Sequence, residues 1–328
     1  MRASCRCAII PERWEVRFLM RTALIAGSCL ALLTTGPAFA WDSFGHMTVA
    51  AVAWQHLDAA AKQKAAALLK RNPDYDTWTK GVAEARRDET AFIRAAIWPD
   101  DIKTDDHYTD DGDTVDGPKA ARNVGYADIL RHRYWHYINF PFSPDNTPLK
   151  EPVVPNIQTQ IHAFRLKLAS ASASAALKSY DLAWLIHLVG DAHQPLHSTA
   201  RFTKAAPDGD RGGQGVSTCP SACTQGKQNL HVVWDDALGT DTSVASARTA
   251  GAALPAPDAA AAAIDDEKAW LDESFALAQS DVYQSPIGDG AGPYVLTASY
   301  KANAKKLAQE RVALAGVRLA HLINEALD

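Results

Sequence analysis

Apolar residues recur at helical spacing along most of this chain, and the alternation typical of strands is scarce. The pattern predicts a helix that begins just after Trp41, with Asp42 or Ser43 as its N-cap. The stretch 133–140 alternates and is aromatic, which favours a short extended segment. The fold class predicted over 41–328 is therefore all-α, a single mostly helical domain with few or no short strands. Further helices are predicted at about 59–71, 80–97, 156–171, 179–192, 229–238, 258–279 and 297–326.

Residues 1–40 have the pattern of a secretory signal peptide. The apolar run 22–33 is followed by Ala-Phe-Ala at 38–40, the small-x-small pattern of a cleavage site. Acidic residues upstream of Met20 are unusual in such a segment, which favours Met20 as the true start of translation. Cleavage would leave Trp41 as the first residue. Because the apolar run is too short to cross a membrane, we expect an exported protein, periplasmic or extracellular, with no transmembrane segment.

Composition excludes some classes of function. The hydrophobic content of 47% is enough for a substantial core. Removal of 1–40 takes away five basic and two acidic residues and changes the formal net charge from −5 to −8. This balance argues against a basic groove that grips nucleic acid by its phosphates, although bound divalent cations would alter it. The acidic loop 104–125 shows no chemistry of its own.

Two cysteines, Cys219 and Cys223, lie outside the predicted signal peptide and stand four residues apart. In an exported protein this spacing favours a small disulfide loop. Free thiols and a metal site are the alternatives.

Potential metal ligands repeat at one spacing in two apolar segments that are predicted to be helical. His187 and Asp191 stand four residues apart, as do His231 and Asp235, so each pair lies on one helix face. A proline after the first pair ends its helix and turns His197 back toward the same face. A single pair is equally well explained as a hydrogen-bonded core pair or a solvated helix face. The repetition favours zinc, which takes about four His, Cys or carboxylate ligands.

Other candidate ligands are weaker when taken alone. His46 lies in the first turn of its helix, near the α-amine that cleavage would free on Trp41, and a lone histidine there is usually structural. Asp100 could simply cap a turn, and His136 could belong to an aromatic cluster. The glycine-rich 209–215 lacks the strand and helix context of a phosphate-binding motif, so we interpret it as a loop that shapes the site.

Together these residues resemble the zinc-dependent single-strand nucleases of the S-one/P-one type. The order of the motifs, both internal spacings and the position after the cleavage site agree across most of 41–240. A related family, the zinc phospholipases C, shares much of the layout but usually has Glu where Asp235 stands. The motif residues are Trp41 with His46, Trp-Pro-Asp100, Trp-His136-Tyr, His187-x3-Asp191-x5-His197 and His231-x3-Asp235.

The resemblance implies a domain of the zinc phospholipase C/single-strand nuclease type with three zinc ions in one cleft. One zinc would be held by Asp100, His136, His187 and Asp191. A second would be held by His197, His231 and Asp235, and a third by the amine and carbonyl of Trp41, His46 and the shared Asp191.

The resemblance also implies roles in catalysis and substrate binding. Asp191 would bridge zinc ions that activate water at neutral pH. Lys103 matches a phosphate-contacting position, where an exposed lysine would otherwise be only solvated. Tyr137 matches an aromatic residue that stacks on an unpaired base. Asn139 stands where fungal enzymes commonly have Asp, and Asp236 where Asn is common, which leaves base preference and phosphate positioning open.

The activity implied is that of a secreted zinc-dependent endonuclease on single-stranded DNA and RNA. It would give 5′-phosphate products, with 3′-nucleotidase activity on 3′-nucleotides, and no stable protein partner is implied. One alternative is a zinc-dependent phospholipase C, against which stand Asp235 in place of Glu and the stacking-competent Tyr137. Another alternative is a zinc-binding protein without catalysis. Such a protein has to release its metal, and ligands packed around a bridging Asp191 would hinder that release.

Overall fold

Helices with small apolar residues form the core of the protein. The computed structural model describes residues 41–122, 126–221, 223–224 and 226–328. The predicted signal peptide, 1–40, lies outside the described residues. The helices are α1 Ser43–His56, α2 Ala59–Leu69, α3 Tyr75–Thr79, α4 Glu84–Ala95, α5 Trp98–Asp101, α6 Ile157–Ala169, α7 Ala175–Ala192, α8 Leu230–Asp235, α9 Val244–Ala253, α10 Ala259–Ala262, α11 Glu267–Leu277 and α12 Ala298–Leu327. The predicted all-α class is confirmed.

Helix α7 runs through the centre of the packing. Every residue from Ser179 to Ala192 is buried, as expected of a helix that is apolar on all sides. It packs against α6, α2 and α12, while α1 packs along α12 and α9. Among the described residues no helix is long and apolar enough to cross a membrane.

Short strands occur only at the edges of loops in the described residues. They are β1 Pro141–Phe142, β2 Ala200–Arg201, β3 Ser217–Cys219, β4 Gln228–Asn229 and β5 Tyr294–Val295. Strands β1 and β2 pair in parallel, and β3 lies between antiparallel β4 and parallel β5. A disulfide joins Cys219 to Cys223, as the spacing favoured.

Two of the predicted helices were wrong in detail, and one helix was not predicted. The helix predicted over 80–97 begins only at Glu84, and the chain turns helical again in α5, where Pro99 is tolerated in the first turn. The helix predicted over 258–279 is two helices, because the side chain of Asp266 caps a new start. Helix α9 was missed, since its Ala- and Gly-rich sequence gives little apolar periodicity.

The segment 133–140 is not extended at its start. Residues Arg133–Trp135 form a 3-10 turn, and strand pairing begins only at Pro141. The turn is set by His132, which has a left-handed backbone (φ 42°) and stacks on Trp135 with ring centroids 3.6 Å apart. His136 therefore follows a tight turn rather than lying in a strand.

Candidate metal centre

Three groups of potential metal ligands lie side by side in the described part of the chain. Within each group the ligand atoms lie within 4.8 Å of one another, and every member is buried. The eight side chains predicted from the sequence are thus brought together, and we call them the imidazole–carboxylate centre. The groups are His46, His187 and Asp191; Asp100, His136 and His187; and His197, His231 and Asp235.

Asp191 lies between the three groups. Its Oδ2 is 3.0 Å from His136 Nδ1 and 3.1 Å from His187 Nε2. The same oxygen is 3.9 Å from His197 Nδ1, and Oδ1 is 3.2 Å from His46 Nε2. One carboxylate therefore contacts imidazoles of all three groups, as expected of a bridging ligand.

Helix α7 and the corner after it position three members of the centre. His187 and Asp191 are on one face of α7 and are fully buried. A short 3-10 turn, Pro195–Ser198, follows the helix and carries His197 back toward the same face. The structure thus contains the corner that the proline predicted.

Helix α1 begins beside the centre. Asp42 is its N-cap, which places His46 in the first turn. The indole N–H of Trp41 donates to the carbonyl of Gly190 at 3.0 Å, and the N–H of Asp42 donates to the carbonyl of Asp235 at 3.2 Å. Only glycine fits at Gly190, because a Cβ there would lie 2.9 Å from His46 Nδ1. These contacts hold the buried Trp41 next to the centre.

Backbone carbonyls fix the tautomers of three imidazoles in the centre. A carbonyl oxygen only accepts, so each contacting Nδ1 carries a proton, and in the neutral ring Nε2 is left with the lone pair. Nε2 of His197 and Nε2 of His231 face each other at 3.0 Å. Two lone pairs repel at that distance, and a cation bound to both removes the repulsion. The Nδ1–carbonyl distances are all 2.7 Å: His187 to Ala96, His197 to His136 and His231 to Gly212.

The electrostatics of the centre favour a divalent cation. Burial lowers the pKa of His136 and of His231 to about 3 and that of His46 to about 4, so these imidazoles are neutral at pH 7. Burial would raise the pKa of Asp100, but Lys103 and nearby imidazoles outweigh it and hold that pKa below its usual value. Neutral imidazoles and ionised carboxylates are the donor set that zinc prefers. Asp235 differs from Asp100, because burial raises its pKa and favours the protonated form in the metal-free protein.

Several polar atoms of the centre have no hydrogen-bond partner among the described residues. A buried polar atom without a partner destabilises the fold, and a metal bond would satisfy it. The donor chemistry of the residues therefore fits zinc, although their role as ligands stays a prediction. The unpartnered atoms include His46 Nδ1, His136 Nε2, Asp191 Oδ1 and Asp235 Oδ2.

Lys103 is buried, and the alternative of a solvated surface lysine was wrong. Only 3% of the residue is exposed, and its Nζ lies 2.6 Å from Asp100 Oδ1. The backbone carbonyl of Lys103 accepts from the guanidinium of Arg133 at 2.8 Å. The ammonium is therefore held against a member of the centre, and its contact with substrate stays a prediction.

Gln194 is a residue of the site that sequence reasoning missed. Its side-chain amide donates to Asp235 Oδ1 at 2.6 Å, and its Oε1 accepts from the N–H of Leu196 at the same distance. Gln194 is fully buried and so fixes one oxygen of Asp235. Gln194 could have been identified from the sequence, because it is a polar residue directly before Pro195 in a largely apolar stretch.

Apart from Lys103, the predicted substrate contacts are partly exposed. Tyr137 is half-buried, and its hydroxyl donates to the carbonyl of Asp113 at 2.8 Å, so the acidic stretch contacts a predicted substrate residue at Asp113. Asn139 is half-buried and makes no side-chain hydrogen bond within the described residues. Asp236 follows α8, and burial raises its pKa. Their contacts with substrate stay predictions.

Comparison with known proteins agrees with this geometry. A family model described as S1/P1 nuclease matches residues 41–328. Endonuclease 4 of Arabidopsis thaliana is 24% identical over 232 residues, which cover 69% of this chain and 61% of the plant protein. The chain thus matches less than two thirds of the length of that relative.

Proposed function

This chain belongs to the S1/P1 nuclease family, and from that premise we propose that it is an exported zinc-dependent endonuclease for single-stranded DNA and RNA. Products with 5′-phosphates and an additional 3′-nucleotidase activity are part of the proposal. The single observation that carries it is the position of Asp191, whose carboxylate contacts imidazoles of all three groups.

The zinc ligands proposed are those of the imidazole–carboxylate centre together with Trp41. The amine of a processed Trp41 would join its carbonyl, His46 and Asp191 in one site. The burial of Trp41 and its hydrogen bond to Gly190 support this third site, because they hold residue 41 beside α7. When bound, zinc supplies Lewis acidity that activates water near pH 7 and neutralises charge on a phosphate.

Residues of the chain have three further tasks in this proposal. Lys103 lies beside Asp100, 2.6 Å from its Oδ1, and would contact a phosphate oxygen of the substrate. Gln194 and the backbone carbonyls orient their ligands, so little reorganisation accompanies substrate binding. Tyr137 offers its ring to an unpaired base at the edge of the centre, and a base held in a duplex is not free to stack there.

The test is a parallel assay of the processed protein together with a zinc count. The substrates are single-stranded DNA, its duplex, single-stranded RNA, a 3′-mononucleotide and phosphatidylcholine vesicles. We expect bound zinc, cleavage of both single strands, little cleavage of the duplex, and loss of activity on chelation that zinc restores.

Each alternative has its own result in this assay. Hydrolysis of phosphatidylcholine without cleavage of nucleic acid would support a phospholipase C and overturn the proposal. Bound zinc without hydrolysis of any phosphodiester would support a zinc-binding protein instead.

A further inference from the structure

A buried ion pair lies outside the imidazole–carboxylate centre. Arg201 and Asp210 are each 3% exposed, and Arg201 Nε is 3.5 Å from Asp210 Oδ2. The hydroxyl of Tyr283 donates to the same Oδ2 at 2.8 Å, and the guanidinium of Arg201 lies over the Tyr283 ring, 4.4 Å from its centroid. We call Arg201, Asp210 and Tyr283 the loop clamp.

The loop clamp fixes the start and the end of the glycine-rich loop 210–215. The backbones of Arg201 and Asp210 are joined by an N–H donated from Asp210 to the Arg201 carbonyl, at 3.0 Å. In return, the Arg201 N–H donates to Asp210 Oδ1, also at 3.0 Å. The N–H of Gly215 donates to the carbonyl of Asp210 at 2.9 Å and closes the loop.

The middle of this loop contacts the centre. The carbonyl of Gly212 accepts from His231 Nδ1 at 2.7 Å. Gly212 has a left-handed backbone (φ 62°), and a Cβ there would lie 2.3 Å from the carbonyl oxygen of Leu196. The loop is therefore packed directly onto the turn that carries His197, and its carbonyl has little freedom to move.

We infer that the loop clamp positions His231. By holding the Gly212 carbonyl in place, it keeps the Nδ1 proton and the ring orientation that direct His231 Nε2 toward His197 and Asp235. The inference deepens the proposed function, on which it rests, and it assigns a role to residues outside the ligand set.

Packing alone does not explain the loop clamp. A buried ion pair contributes little net stability compared with an apolar pair of similar size, so its presence needs another reason. Groups that hold the non-coordinating nitrogen of a histidine ligand typically change metal affinity by about 10–100-fold. The loop clamp is linked to Nδ1 of His231 through the carbonyl of Gly212.

The experiment compares zinc binding by Tyr283→Phe and by wild type. The substitution removes one hydroxyl that donates to Asp210 and keeps the ring under Arg201. We expect one of three zinc ions to bind about tenfold more weakly, with the other two unchanged. Zinc affinities are measured by competition with a chelator. Tyr180→Phe, which removes a hydroxyl donated to Asp128 at 3.2 Å, is the matched control and should leave all zinc affinities unchanged.

The outcomes separate this inference from the proposed function. Wild type with three zinc ions and Tyr283→Phe with unchanged affinities would overturn the positioning role alone. Wild type without tightly bound zinc would overturn the proposed function. A measurement on metal-free wild type needs no variant: nitrogen NMR should find His231 protonated at Nδ1, and protonation at Nε2 would contradict the inference.

Discussion

Helix α7 carries two fully buried carboxylates, Asp181 and Asp191, whose pKa values are shifted in opposite directions. Burial raises the pKa of Asp181 to about 7, and both of its oxygens lack a hydrogen-bond partner among the described residues. Asp191 is equally buried, and burial would also raise its pKa. There the imidazoles of His187 and His197, with a hydrogen bond from His136, outweigh burial and hold the pKa well below its usual value.

The comparison teaches that burial does not by itself identify a site. Both are acidic residues on one helix, and burial away from water destabilises the charged form of each. What differs is that separate segments of the chain converge on Asp191. A negative charge is stabilised at Asp191 and destabilised at Asp181. The same substitution should therefore have opposite consequences at these two positions.

The largest effect is expected for Asp191→Asn. The amide keeps the size of the side chain but removes the charge that lies beside imidazoles of all three groups. We expect loss of at least one zinc ion and a fall of several orders of magnitude in the hydrolysis rate, because no other carboxylate of the described residues contacts imidazoles of all three groups. Metal analysis and a single-stranded DNA assay measure the two losses.

Asp181→Asn is the matched control for this prediction. It makes the same substitution on the same helix and should leave zinc content and hydrolysis rate unchanged. Near-normal turnover in Asp191→Asn would refute the proposed role of Asp191.

A smaller effect is expected when one residue is added before Trp41 in the processed protein. The added residue moves the free amine away from Trp41, so the proposed amine–carbonyl chelate cannot form. We expect loss of one zinc ion and most activity, with the ions at the other ligand groups retained. Metal analysis measures the loss.

Trp41→Phe without the extension is the control for this loss. It removes the indole N–H bound to Gly190 and part of the buried ring, but it leaves the amine and the carbonyl of residue 41 in place, so the zinc ion should be kept. Full metal content in the extended protein would contradict the terminal chelate.

The sequence predicted α7 and its ligands because their signal is local. The four-residue spacing of His187 and Asp191, an apolar surround and a following proline determine one helix, one face and one corner. The pair His231 and Asp235 follows the same rule on α8, where Asn229 caps the helix. Their convergence on each other was supplied by the family resemblance rather than by the spacing.

What the sequence could not show depends on contacts between distant segments. The carbonyl of Ala96 that orients His187 lies 91 residues away along the chain, and no pattern around either residue indicates the contact. The same applies to the burial of Lys103 and to the loop clamp. The turn before His136 was mistaken for a strand because ring stacking between His132 and Trp135 overrides the local alternation.

The smallest effect in the comparison is on stability, through Asp181→Asn. Because the folded state raises the pKa of Asp181 from 3.8 to about 7, it favours the protonated form, and the free energy of unfolding falls as pH rises between these values. Asn carries no charge at any pH. The substitution should therefore stabilise the metal-free protein by on the order of 2 kcal/mol more at pH 8 than at pH 5.5. Denaturant unfolding at the two pH values measures this difference. A pH-independent effect of Asp181→Asn would mean that folding does not raise the pKa of Asp181 into this range, and the contrast with Asp191 would be lost.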